Sequence, residues 1–182
     1  NKIRLLKKKY PSKKIINNEN IIFSDKEVNL VSIASYDNFH FKQIIKGLNF
    51  DKNLIIEKPM CLNEEQLKKI YHLINKKKHL NITSNLVLRV NSLFKNFKQL
   101  INKKKIYYIE ADYIWGRKSK LYGWRSRFKD YSIIYGAAIH MIDIVIWLTG
   151  LKPINVYTYG NNKPTQKTKF KKNSFALILF EF

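Results

Sequence analysis

Two sets of residues in this sequence have types and spacings that do chemistry. The first is Glu57-Lys58-Pro59, directly after the short apolar run at residues 54–56. A lysine at the end of a buried strand, walled by apolar side chains, loses part of its hydration. That disfavours the ammonium and suits the amine to proton exchange near neutrality. The plain alternative is a solvated lysine in a lysine-rich chain. The second set is His140 and Asp143, three apart on a helix that is otherwise apolar, with Gly136 and Trp147 continuing the same face. Such a pair is either satisfied by neighbours, as a buried histidine bonded to a carboxylate, or faces a polar pocket.

The elements that position these residues follow from apolar periodicity. Residues 29–35 form a short apolar run of buried-strand type. Asp37 or Asn38 is placed to cap the helix that follows, whose stripe is Phe41, Ile44, Ile45 and Leu48. The second run ends at Pro59, which has no N–H for a ladder. Asn63 before Glu64, Glu65 and Gln66 marks a helix start with acids in its first turn, and Leu67, Ile70, Tyr71 and Ile74 supply its apolar face. A strand over 79–86 and a helix over 92–102 follow, the latter using Phe94, Phe97, Leu100 and Ile101.

Strand, helix, strand, helix, strand argues for a parallel sheet with helices against it. In such a sheet the strands deliver their C-terminal ends to the ligand crevice, which singles out Ser35-Tyr36-Asp37 and Glu57-Lys58-Pro59. The texture then changes. A long aromatic strand is expected over 106–115, then a basic loop and an apolar helix from about Gly136 to Thr149, stopped by Gly150. Strands over 154–160 and 174–182 read as an antiparallel pair. The expected class is α/β: a parallel-sheet domain over 1–88, then an α+β domain over 89–182.

Composition narrows the function classes. With 45% hydrophobic residues, the 182-residue chain can build real cores. The formal net charge of +22 suggests a polyanion partner, but the excess is nearly all lysine and accompanies heavy use of Asn, Ile, Tyr and Phe. Those residue types share A/T-rich codons, and the lysines cluster at element ends (7–9, 76–78, 103–105), where helix C-termini favour cations. Nucleic acid is therefore not the expected partner. Cys61 is the one cysteine, so no intrachain disulfide forms and a reducing cytoplasm fits. No His or Cys is spaced for a metal, and no apolar run is long enough to span a bilayer. The ends, at Asn1 and inside an apolar strand, read as cuts through a larger protein.

Taken together, EKPM (57–60), GWR (123–125) and GAAIHMIDIVIWLTG (136–150) resemble the glucose–fructose oxidoreductase and inositol dehydrogenase family, Gfo/Idh/MocA. IASYDNFH (33–40) resembles that family's strand-end segment, and LKKKYPSKKI (6–15) the helix leading out of a first βαβ unit that would precede this chain. The resemblance covers nearly the whole chain, in the family's order.

It implies an N-terminal Rossmann domain, a C-terminal α/β domain with an open mixed sheet, and hydride transfer between NAD or NADP and a sugar, cyclitol or nucleotide-sugar hydroxyl carbon. Lys58 would transfer the proton and His140 would hydrogen-bond the substrate hydroxyl. Ser35, Tyr36, Asn38, His40, Glu57 and Lys58 would lie along the cofactor, with Asn85, Arg89 and Asp143 as weaker substrate candidates. A homo-oligomer is implied as well.

Two departures stand out. The G-x-G-x-x-G turn that cradles the pyrophosphate is absent. Where many relatives carry an aspartate four residues before the histidine, this chain has Gly136. A non-catalytic relative that binds cofactor or sugar is therefore the alternative to an enzyme, with a basic nucleic-acid-binding module a more distant third.

Overall fold

Val31 and Ile33 alternate with exposed neighbours, and Leu54 and Ile56 do the same, so two short strands each turn one apolar edge inward. Those edges meet in the first of two compact units, which divide between Ser84 and Asn85. The structure is a computed structural model that describes residues 2–102 and 104–182. Asn1 and Lys103, the latter in the basic cluster at 103–105, lie outside the described residues.

The first unit begins with helices α1 (Lys2–Lys9) and α2 (Glu19–Ser24). Strand β1 (Leu30–Ile33), helix α3 (Asp37–Asn49), strand β2 (Asn53–Ile56), helix α4 (Glu64–Lys76) and strand β3 (Ile82–Ser84) follow. The sheet order is β1-β2-β3, all parallel, with Ile33 opposite Ile56 and Ile56 opposite Ser84. Helix α3 lays Ile44 and Leu48 onto the apolar face of the sheet, where Leu54 and Ile56 are at most 1% exposed. Burying each such side chain contributes about 1.5–3 kcal/mol. The close approach needs Gly47, because a Cβ there would lie 2.6 Å from Leu54 Cδ2.

Helix α4 starts as its sequence implies: the Asn63 side chain accepts from the Gln66 N–H. The start of α3 differs. Tyr36 takes the capping position but its side chain does not cap the helix N–H groups, and Asp37 sits in the first turn, where a carboxylate favours the helix dipole. Strand β3 is shorter than residues 79–86, because its ladder with β2 runs only from Ile82 to Ser84.

The second unit opens with a 3₁₀ turn, Val87–Val90, and helix α5 (Ser92–Ile101). Helix α6 (Trp124–Arg127), helix α7 (Ile139–Thr149), and strands β4 (Asn155–Asn161) and β5 (Phe175–Glu181) complete it. Strands β4 and β5 pair antiparallel, with Tyr157 opposite Leu179. Gly150 ends α7 at φ 71°, the left-handed conformation that favours glycine.

Two expectations change here. Residues 106–115 form no strand, since alternation creates a strand only where a partner supplies the ladder, and β4 and β5 pair with each other. The expected single helix from Gly136 is instead a wide π turn, Ile134–Ala138, leading into α7. The unit's small core is Leu121, Tyr131 and Phe170, flanked by Trp115, Tyr122, Trp124, Phe128 and Ile133. Among the described residues, no helix is long and apolar enough to cross a membrane.

Candidate functional site

Parallel pairing brings the ends of β1 and β2 side by side. The last ladder bond runs from the Glu57 N–H to the Ile33 carbonyl, at 2.9 Å, and the two chains then leave the sheet together. Ser35, Glu57 and Lys58 are half-buried there, while Tyr36 and Asn38 are exposed. Ser35 Oγ donates to Gln43 Oε1 at 2.6 Å, and Gln43 Nε2 donates to Glu19 Oε2 at 2.7 Å. Lys46 closes the chain on Glu19 Oε1. These bonds hold the Glu19 carboxyl below the ordinary range, the Lys46 hydrogen bond foremost. A hydroxyl, a phenol, a carboxylate and an amine at adjoining strand ends form a set of hydrogen-bond donors and acceptors suited to the polar half of a dinucleotide.

His40 departs from its expected place along a cofactor. It is 0% exposed, with Nδ1 2.7 Å from the Pro59 carbonyl oxygen and Nε2 3.0 Å from that of Ser35. With no accessible surface it has nothing to offer a ligand directly. Burial also raises the pKa of the nearby Cys61 thiol.

In the second unit the helix pair resolves into two roles. The Arg89 guanidinium grips Asp143: Nε donates to Oδ1 and Oδ2 at 3.1 and 2.9 Å, and Nη2 donates to Oδ1. The Arg89 side chain is 43% exposed and that of Asp143 only 10%. The hydrogen bond to Asp143 raises the Arg89 pKa further. Both were weak substrate candidates, and the structure turns them towards each other. Asn85 is half-buried and opens this unit directly after β3.

His140 is half-buried on α7, and the Tyr113 ring stacks on it at 5.9 Å between centroids and 21° between planes. The sequence does not single out Tyr113 as a neighbour of His140; its signal is the aromatic run over 106–115, which reads as a strand. A Cβ on Gly136 would meet Tyr131 Oη at 2.1 Å, so a phenol hydroxyl fills the space in front of that glycine. The Arg125 guanidinium of the GWR string lies 4.5 Å from the Trp124 ring, 5.4 Å from Trp115 and 5.8 Å from Tyr131. Its role is to cement the aromatic core beside these residues. Among the described residues, no group of three or more His, Cys, Asp or Glu is placed to hold a metal ion.

The chain matches the oxidoreductase family with an NAD-binding Rossmann fold over residues 8–85, and that family's C-terminal α/β domain over residues 98–182. The chain belongs to the Gfo/Idh/MocA oxidoreductase family. Comparison with curated protein sequences gives no match.

Solved structures share the Gfo/Idh/MocA fold. Myo-inositol 2-dehydrogenase from Lactobacillus plantarum superposes with a TM-score of 0.80 at 19% identity, covering 91% of this chain and 50% of that one. Scyllo-inositol dehydrogenase from Lactobacillus casei, solved with NAD(H) and scyllo-inositol, gives 0.73 at 21% identity, covering 88% and 49%. An NAD-binding protein from Listeria innocua gives 0.73 at 19% identity, covering 99% and 51%. The chain thus spans about half the length of the structures it matches.

Proposed function

We propose that the protein containing this chain is an NAD(H)-dependent oxidoreductase acting on the carbinol carbon of a sugar-like polyol, a cyclitol being the first candidate. The observation that carries this reading is Lys58, half-buried where β2 leaves a parallel sheet beside the end of β1, in a chain of this family. NAD(H), when bound, supplies the hydride acceptor or donor. Oxidising an alcohol also requires removal of the hydroxyl proton. Lys58 is the group that takes it, and His140 is a hydrogen-bonding group for the polyol. Ser35, Tyr36, Asn38 and Glu57 form the polar wall that receives the cofactor. Asn85 contributes to substrate binding.

The test is turnover of the full-length protein with NAD or NADP and a panel of inositols and sugars, followed as reduced nicotinamide. Lys58→Ala is expected to lower kcat by about 100-fold or more while the unfolding transition stays in place. Normal turnover by that variant would overturn the assignment.

One observation favours a second reading, a relative that binds without catalysing. Tyr131 Oη occupies the space a side chain at Gly136 would enter, so the carboxylate that the family resemblance implies near the histidine has no room. Tight cofactor or polyol binding by calorimetry, without turnover across the panel, identifies that case.

Self-association belongs to the same proposal. Tyr157, Tyr159, Leu177 and Leu179 share one face of the β4–β5 pair and are each 58–60% exposed. An apolar face of this kind is a natural interface. A monomer by analytical ultracentrifugation would remove this part alone.

A further inference from the structure

His40 lies in the first turn of α3 with no solvent-exposed surface, yet both of its ring nitrogens face backbone carbonyl oxygens. A buried residue needed only for packing would be apolar, since burying an imidazole costs free energy unless its polar atoms are bonded. The two carbonyls belong to neighbouring strand ends. Ser35 is two residues past β1 and Pro59 is three past β2, both beyond the last ladder bond at Glu57. The ladder has stopped there, and Pro59 has no N–H with which to extend it. A carbonyl only accepts and a neutral imidazole has one N–H, so His40 donates to Pro59 or to Ser35 according to its tautomer, and it spans the two chains where the sheet no longer does.

What hangs on the bridge is the candidate site itself. Lys58 is joined to Pro59, and Tyr36 to Ser35. The same helix holds Ser35 a second time, because Gln43 accepts the Ser35 hydroxyl and is itself fixed by Glu19. Helix α3 is packed into the core through Ile44 and Leu48, so it is a rigid frame for both contacts.

We infer that His40 is a positioning residue: through the Pro59 carbonyl it sets the backbone that aims the Lys58 amine. The inference rests on the catalytic reading of Lys58. A displacement of about 1 Å at a proton-transferring group lowers rate on the order of 100-fold, so a bond that fixes its backbone has leverage.

The experiment uses the full-length protein and three variants. His40→Phe fills the volume without a hydrogen bond, while His40→Asn and His40→Gln keep an amide that can donate to one carbonyl. Two readouts are taken. One is the rate at which an amine-acylating reagent labels Lys58, compared with Lys46 and Lys69, by peptide mass spectrometry. The other is kcat and KM.

In His40→Phe, Lys58 labelling is expected to change several-fold while Lys46 and Lys69 keep their wild-type rates. The kcat is expected to fall at least about tenfold, with a smaller change in KM for the polyol, and an amide variant recovers part of the loss. Wild-type Lys58 labelling in a folded His40 variant overturns the inference, and so does a uniform change at all three lysines, which marks general loosening. Should His40→Phe fail to fold, the two amide variants decide by the same criteria. A wild-type protein without turnover would sink the catalytic reading alone, because labelling is read without activity.

Discussion

Arg89 and Asp143, distant in sequence, form a forked ion pair in which the exposed partner covers the buried one. The fork matches the planar carboxylate with several N–H donors at once, which a lysine cannot reproduce. It ties the 3₁₀ turn after β3 to the middle of α7, three residues past His140. Asp143 thereby becomes a brace for the helix that carries the histidine.

Removing the exposed half should therefore cost more than a surface ion pair does. Arg89→Ala leaves a carboxylate that is only 10% exposed without its fork, and a loss of about 1–3 kcal/mol is expected in urea unfolding. Arg89→Lys should recover only part of it. A loss of a few tenths, typical of exposed pairs, would show that the brace carries no weight.

Gly136 sets a second expectation with a definite sign. On an open helix face, Gly→Ala gains about 1 kcal/mol. Here the new methyl would meet Tyr131 Oη at 2.1 Å and Cζ at 2.8 Å, in a ring that is 4% exposed. Displacing that ring outweighs the gain, so Gly136→Ala should lose about 1–3 kcal/mol. Tyr131→Phe, which removes the nearest atom, should soften the loss in the double variant. A stabilised Gly136→Ala protein would refute the contact.

The Glu19 cluster gives a pH dependence. Its carboxyl is lowered in the folded state from 4.5 by hydrogen bonds from Lys46 and then Gln43. The stabilisation is present above about 4.5 and fades as pH falls below it, towards the lower folded value. Glu19→Gln should thus be less stable than wild type at neutral pH, by about 0.5 kcal/mol for so exposed a group, with the gap closing in acid. Parallel pH–stability curves would contradict this.

Cys61 provides a check on the loop after Lys58. Burial raises its thiol above the ordinary value, so less of the reactive thiolate is present at mild alkaline pH. Iodoacetamide should label it more slowly in the native protein than in urea. Equal rates would mean that the loop holding Lys58 opens freely.

Local pattern carried much of this molecule. Short apolar runs over 29–35 and 54–56 mark β1 and β2, the spacing of Ile44 and Leu48 marks the inward face of α3, and Asn63 and Gly150 mark helix ends through their own side-chain or backbone chemistry. Each feature depends on neighbours within a turn or two, so a linear reading captures it. The strand-end placement of Lys58 follows from the same reasoning, since parallel strands point one way.

Only the folded chain settled which distant groups meet. The inward path of His40 to two backbone carbonyls, the Arg89 fork on Asp143, and the Tyr131 hydroxyl over Gly136 join residues from separate elements. Residues 106–115 show the same limit in reverse, for their alternation named a strand and no ladder partner came. Periodicity records which side of a segment avoids water. It holds no record of what stands opposite, because that depends on how all the segments pack at once.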